Sequence, residues 1–261
     1  MAGGIGTVLG RYGWLIGSIA AMCAVYLLPS DVSLADVRRS GVLSACLPPS
    51  RPPLITGDPA RPGMEVELLQ AIAGEIGVRF VANTITGIGQ NFDPSVTPIT
   101  HSQCATIGGG MLDTAATRSF LDVSPPYGET GWVLLAKTAG TPIAGTAIVL
   151  ANMPGSDRVA LSQFLRGQGV RVQLARSTDA VAEALGDGTA NFAVLDALYA
   201  RRLADELGFV TEALPPPLST HQLVFGLWKG DLTLKRAIEG AFHRLESDGQ
   251  LAALTAKYLQ D

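Results

Sequence analysis

Arg118 stands inside the stretch "GGGMLDTAATRSFLDVSPPY", after a run of glycines and within an alanine/threonine turn. A guanidinium there either grips an anionic ligand through its planar fork of N–H donors or pairs with a neighbour on a surface helix. Just upstream, Gly109 and Gly110 would let a ligand approach the backbone closely, and Thr114 offers a hydroxyl and backbone amides at a helix start. The bland use of the two glycines is close strand packing. Asp196 follows the apolar run "NFAVL". An aspartate at the carboxyl end of a strand is poorly placed for a core and well placed for a cleft, or it caps the helix-like "ALYARRL" that follows.

Composition narrows the chemistry. The chain has 261 residues, a formal charge of −4, 47% hydrophobic and 16% charged residues, a globular balance that suffices for one large domain or two small ones. Its arginines and lysines are dispersed, with no basic stripe, so nucleic acid is not an expected partner. Three cysteines and three scattered histidines show no metal-ligand spacing, and neither metal nor cofactor is expected. There is no Gly-x-Ser-x-Gly elbow and no phosphate-binding glycine loop with lysine, which removes serine hydrolase and P-loop readings.

Between Arg11 and Asp31 no residue is charged, and "WLIGSIAAMCAVYLL" is apolar and preceded by a single positive charge. Residues 1–31 read as an export signal, or as an uncleaved membrane anchor, since the stretch is nearly long enough to span a bilayer. Either way the remainder lies outside the cytoplasm, where thiols are oxidised. There Cys46 in "GVLSACLPP" and Cys104 in "HSQCATIGGG" could pair as neighbours in one sheet, or remain two buried thiols.

The elements that position these residues alternate. "GVLSACL" is a short apolar run and "RPPLITGDPARPG" a loop. "MEVELLQAIAGEIG" carries apolar residues at helical spacing and stops at Gly77, and "VRFVANTI" and "CATIGGGM" read as strands. The second half repeats the theme from "GTAIVLA" to "ALYARRLADELG". This predicts two α/β lobes, each an open, mostly parallel sheet covered by helices. Lobe 1 takes residues 32–137 and 218–261, lobe 2 takes 138–217, and two crossing segments form a hinge. Open parallel sheets bind ligands beyond the carboxyl ends of their strands, which selects the loops after Cys46, Ile107, Ala151 and Leu195.

The order of these signals resembles the extracytoplasmic solute-binding proteins of the amino-acid type that serve ABC importers. The resemblance runs over most of residues 34–259 and rests on "LADVRRSGVL", "GMEVELLQAIAGEIG", "SPPYGETGWVLL", "LGDGTANFAVLD" and "LESDGQLAALTAKYL". It implies the type II periplasmic binding protein fold and capture of a small amino-acid-like or carboxylate ligand by hinge closure, with delivery to a permease. In that family a Thr-x-x-Arg turn grips the ligand carboxylate. Here Arg118 stands one position later after Thr114, an offset that turns its side chain by roughly 100° on a helix. By the same resemblance Gly155 and Ser156 at a helix start are a second anion contact, and Asp196 pairs with a ligand ammonium.

This sequence departs from the pattern at two places. Leu54 stands where an aromatic residue commonly stacks on the ligand, and "TITGIGQNFDPSVTPITHSQC" lacks the usual tryptophan. The Cys46/Cys104 pair resembles a branch of the fold associated with periplasmic quinoprotein alcohol dehydrogenases, which implies protein binding in place of transport. A periplasmic dehydratase on the same fold is the remaining alternative. It would need a pKa-shifted acid or base in the cleft; Glu65, Glu129 and His101 are the available groups and form no visible pair, while His221 and His243 sit in packed or exposed contexts. The expectation is therefore a binding protein, not an enzyme.

Overall fold

The computed structural model describes residues 13–15, 17–20, 22–23, 31–86, 101–150 and 156–259. Met1–Val32 and Ser33–Asp261 form two separate units. In the first, the residues described up to Cys23 are helical and exposed. Among the described residues no helix is long and apolar enough to cross a membrane. Much of the expected signal or anchor segment lies outside the described residues.

In the second unit the chain runs α1 (Ser33–Ser40), β1 (Val42–Leu47), α2 (Met64–Ile76), β2 (Arg79–Thr84), β3 (Thr106–Leu112), α3 (Ala115–Phe120), β4 (Leu121–Val123), β5 (Gly128–Thr130) and β6 (Trp132–Ala136). It continues through β7 (Thr146–Val149), α4 (Arg158–Gly167), β8 (Arg171–Leu174), α5 (Thr178–Gly186), β9 (Phe192–Asp196), α6 (Ala197–Leu207), β10 (Val210–Ala213), β11 (His221–Trp228), α7 (Leu232–Ser247) and α8 (Gln250–Leu259). One sheet has the order β2-β1-β3-β11-β4, with β5 also on β11; the other has the order β10-β6-β9-β7-β8. Each joins a parallel trio, β2-β1-β3 or β9-β7-β8, to antiparallel strands. Those antiparallel strands flank the crossings between sheets, where the chain returns directly without a helix.

β6 lies in the second sheet, antiparallel to β9, so the first crossing falls ahead of β6 at Gly131, not after it at residue 137. The reason is legible in burial. Trp132, Leu134 and Ala136 face one apolar cluster while Val133 and Leu135 face another, the period of two that a strand buried on both faces requires. β9 does the same with Phe192 and Val194 against Ala193 and Leu195.

The second crossing, between β10 and β11, is tied to the first. The Trp132 backbone N–H donates to the Leu218 carbonyl at 2.9 Å, and its backbone carbonyl accepts from the Leu214 N–H at 3.1 Å. A Cβ at Gly131 would collide with the backbone carbonyl of Ser219. Gly131→Ala should therefore force the crossings apart and cost about 1–3 kcal/mol, seen as a lower urea midpoint; an unchanged midpoint would show that the crossings move freely.

The carboxyl-terminal helices pack back on the first sheet. Leu234, Ile238, Ala241, Phe242 and Leu245 of α7 are buried, at the three- and four-residue spacing of one helix face. Lys257 of α8 reaches Glu67 of α2 at 2.7 Å.

Candidate functional site

The loop after β1 is closed by reciprocal backbone hydrogen bonds between Arg51 and Ile55, at 2.6 and 2.9 Å. From that turn the Arg51 side chain reaches the second sheet. Its Nη2 donates to Asp196 Oδ2 at 2.6 Å, and both residues are almost entirely buried, 1% and 0% exposed. Asp196 ends β9 and caps α6, so one partner comes from each sheet. The other carboxylate oxygen accepts from the Thr130 hydroxyl and, at 3.0 Å, from the Leu198 N–H. Placement at the amino end of a helix adds favourable dipole to the negative charge. The Tyr199 ring lies 5.7 Å from the guanidinium.

A second fixed carboxylate sits beside this pair. Glu65, in the first turn of α2, is fully buried. Its Oε2 accepts the Gly109 N–H and its Oε1 the Gly110 N–H, each at 2.6 Å, and the Tyr127 hydroxyl also donates to Oε1. The positive φ of Gly109 and Gly110 turns both amides toward it, a conformation that favours glycine. A Cβ at Gly110 would lie 2.5 Å from Arg51 Nε, so the arginine runs directly over that glycine. Burial raises the Glu65 pKa above its ordinary value, against the opposing pull of Tyr127, the two amides and the Arg51 charge. Burial, then the Glu65 charge, pushes the Tyr127 hydroxyl well above its usual range, so Tyr127 stays a donor. Its ring stacks on Phe225 at 4.8 Å.

The structure separates the other residues expected from sequence. Thr114 is the N-cap of α3 and accepts the Thr117 N–H at 3.2 Å. Arg118 faces solvent and pairs with Asp113, Nε to Oδ1 at 2.5 Å and Nη2 to Oδ2 at 2.8 Å; its side chain is 58% exposed. The Asp113 hydrogen bond raises its pKa. The structure therefore places Arg118 on the surface, as the one-residue offset from Thr114 would turn it. Ser156 is half-buried and precedes Asp157, which is the residue that caps α4. Gly155 lies outside the described residues. Because an exposed ion pair is worth little, Arg118→Ala should change stability by less than about 1 kcal/mol, measured by urea unfolding.

Cys46 and Cys104 form a disulfide, with Cα atoms 5.5 Å apart. Cys46 is on β1 opposite Ile107 of β3, and Cys104 lies just before β3. The Trp228 indole N–H donates to the Cys104 carbonyl at 2.6 Å. Glu129 is exposed and accepts from Gln222 at 3.1 Å, His101 pairs with Asp231 at 2.6 Å, and burial lowers the pKa of half-buried His221. His243 is exposed. Among the described residues no group of three or more His, Cys, Asp or Glu could hold a metal ion.

Arg51 is the residue that sequence reasoning missed. Leu54, three positions on, is fully buried against the core. The available signal was a lone cation in an otherwise uncharged "CLPPSRPPLIT" at the carboxyl end of the first strand. A groove of about 280 Å³ adjoins the ion pair and is lined by Pro52, Pro53, Glu129, Tyr199, Arg201 and Tyr258 among others.

Two open α/β sheets joined by paired crossings, with buried polar groups where the strand ends converge, define the class of two-lobed binding proteins. The chain belongs to the bacterial extracellular solute-binding proteins, family 3, whose profile matches residues 43–261. Solved structures agree in fold. The P235GK mutant of ArgBP from T. maritima superposes with a TM-score of 0.68 at 21% identity, over 88% of this chain and 100% of that one. A substrate-binding protein of an ABC uptake transporter from Streptococcus pneumoniae with bound histidine gives 0.70 at 18%, over 89% and 97%. The ancestral amino acid-binding protein AncCDT-1, described as a precursor of cyclohexadienyl dehydratase, gives 0.68 at 20%, over 87% and 98%. A search of curated proteins finds no match.

Proposed function

We propose that this protein captures a small polar, carboxylate-bearing solute of amino-acid type between its lobes by hinge closure, and delivers it to the membrane permease of an ABC importer. The observation that carries this reading is the buried Arg51–Asp196 pair, with one partner from each lobe. A zwitterion inserts into such a pair without leaving a buried charge alone: its carboxylate takes Arg51 and its ammonium takes Asp196. Closure then brings Asp196 over a solute already held by Arg51. Thr114 on the first lobe, and Ser156 with Gly155 on the second, are proposed as further contacts. Structures of the same fold with bound L-arginine or bound histidine support an amino-acid-type solute.

The test is thermal unfolding of the full chain against a panel of amino acids, small carboxylates and amines. A zwitterion should raise the Tm more than a plain carboxylate or a plain amine of the same carbon skeleton. No shift with any compound would contradict solute capture.

One observation favours a second reading. Arg51 from the first lobe is already paired with Asp196 from the second, so the two sheets meet without a solute. On that reading the protein is an accessory of a periplasmic quinoprotein dehydrogenase and acts by protein binding. A silent panel together with a stable complex with such an enzyme would establish it.

A further inference from the structure

A second contact between the lobes lies at the rim of the groove, at the end of α8. The last turn of that helix is fixed to the first lobe. Lys257 Nζ donates to both oxygens of Glu67 on α2, at 2.7 and 2.9 Å, and the Tyr258 hydroxyl donates to the same carboxylate at 2.7 Å. Tyr258 is buried, with the Lys257 ammonium 4.9 Å and the Arg61 guanidinium 5.9 Å from its ring centroid. Leu259 packs on the larger apolar cluster, close enough to β5 that a Cβ at Gly128 would lie 3.4 Å from its Cδ1.

The second lobe reaches this turn with Arg201 of α6, whose Nη1 donates to the Leu259 carbonyl. Carbonyls in the last turn of a helix have no partner within it, and the helix dipole favours a cation there. A guanidinium suits both. The same α6 is capped by Asp196 and carries Tyr199, whose ring lies 5.7 Å from the Arg51 guanidinium. One helix of the second lobe thus meets the first lobe twice, through Asp196 on Arg51 at its start and through Arg201 on α8 a little over one turn later. Both lobes wall the groove between these contacts, with Pro52, Pro53 and Tyr258 on one side and Tyr199, Arg201 and Asp205 on the other.

We infer that the last turn of α8 is an interlobe strap, anchored on Glu67 and caught by Arg201, which helps the Arg51–Asp196 pair hold the lobes together in the solute-free protein and must release before the cleft opens. Arg201 grips the backbone of this chain, so the strap biases the balance between open and closed forms under either reading of the cleft.

Small-angle scattering of the solute-free, full-length protein tests it. A single exposed hydrogen bond contributes modestly, so the decisive variant reverses the charge. Arg201→Glu sets a negative side chain against the helix end and beside Glu129, which lines the same groove, and should increase the radius of gyration over wild type. Arg201→Lys keeps the cation and should stay at the wild-type value. Glu67→Ala frees the strap at its anchor on the other lobe and should expand the protein as Arg201→Glu does. A folded Arg201→Glu protein as compact as wild type would overturn the strap. So would a wild type already as expanded as that variant, or a folded Glu67→Ala protein that stays compact. No solute enters the measurement, so each of these results leaves solute capture to be judged by its own panel.

Discussion

Replacing Arg51 with alanine is expected to destabilise the solute-free protein by about 3–5 kcal/mol, the range for breaking a buried ion pair from one side. The cost arises less from the lost attraction than from what remains. Asp196 is 0% exposed and would be left without its cation in a site built around the guanidinium. The Thr130 hydroxyl and the Leu198 N–H still reach it, which favours the lower end of the range. Arg51→Met together with Asp196→Leu removes both charges and keeps much of the volume, and should recover most of the loss, since a buried pair replaced by apolar groups is often neutral or stabilising. Urea unfolding of the two single variants and the double variant measures the coupling directly. Single and double variants that lose the same stability would show that Arg51 contributes by packing alone.

The second large effect is expected at the disulfide. Cys46 and Cys104 are 58 residues apart in sequence, and closing a loop of that length constrains the unfolded chain by roughly 4 kcal/mol in the chain-entropy account. Cys46→Ala with Cys104→Ala should lower stability by about 2–4 kcal/mol, because both sulfurs lie in an apolar cluster with Ile107, Met111 and Leu121 and the smaller side chains lose contacts there as well. The loss should appear in the urea midpoint, and the oxidised wild type treated with a thiol reductant should approach the double variant. Since the bond joins β1 to the start of β3, it also braces the two segments whose ends carry Arg51 and the Gly109–Gly110 amides. A reduced protein as stable as the oxidised one would contradict this.

Much of the architecture is legible in the sequence because it depends on local periodicity. The helical spacing of "MEVELLQAIAGEIG" ending at Gly77 gave α2, and Gly77 does adopt the left-handed cap conformation. The run "NFAVLD" gave β9 and placed Asp196 at a strand end. The position of β6 was not legible from "GWVLLAKTAG", because a strand buried on both faces does not alternate in composition, and which sheet takes it depends on pairing with β9 far along the chain. At the site, Asp196 was readable from its strand, whereas its partner was not. Arg51 reaches it from 145 positions away, through a turn whose closure depends on backbone hydrogen bonds and leaves no periodic trace. Glu65 was visible as an acid but not as a ligand of glycine amides, since that requires knowing that α2 starts against β3. Arg118 carried the most recognisable pattern, yet a single-residue offset on a short helix was enough to turn it to Asp113 and solvent.

The most direct test of the central claim, that the cleft works through Arg51 and Asp196 and not through Arg118, is calorimetric titration of the best panel solute into the full-length wild type, Arg118→Ala and Asp196→Asn. Affinity in Arg118→Ala should stay within about three-fold of wild type, while Asp196→Asn, which removes the charge facing the solute ammonium, should weaken binding at least ten-fold. Binding lost in Arg118→Ala and retained in Asp196→Asn would contradict this and return the carboxylate clamp to the exposed arginine.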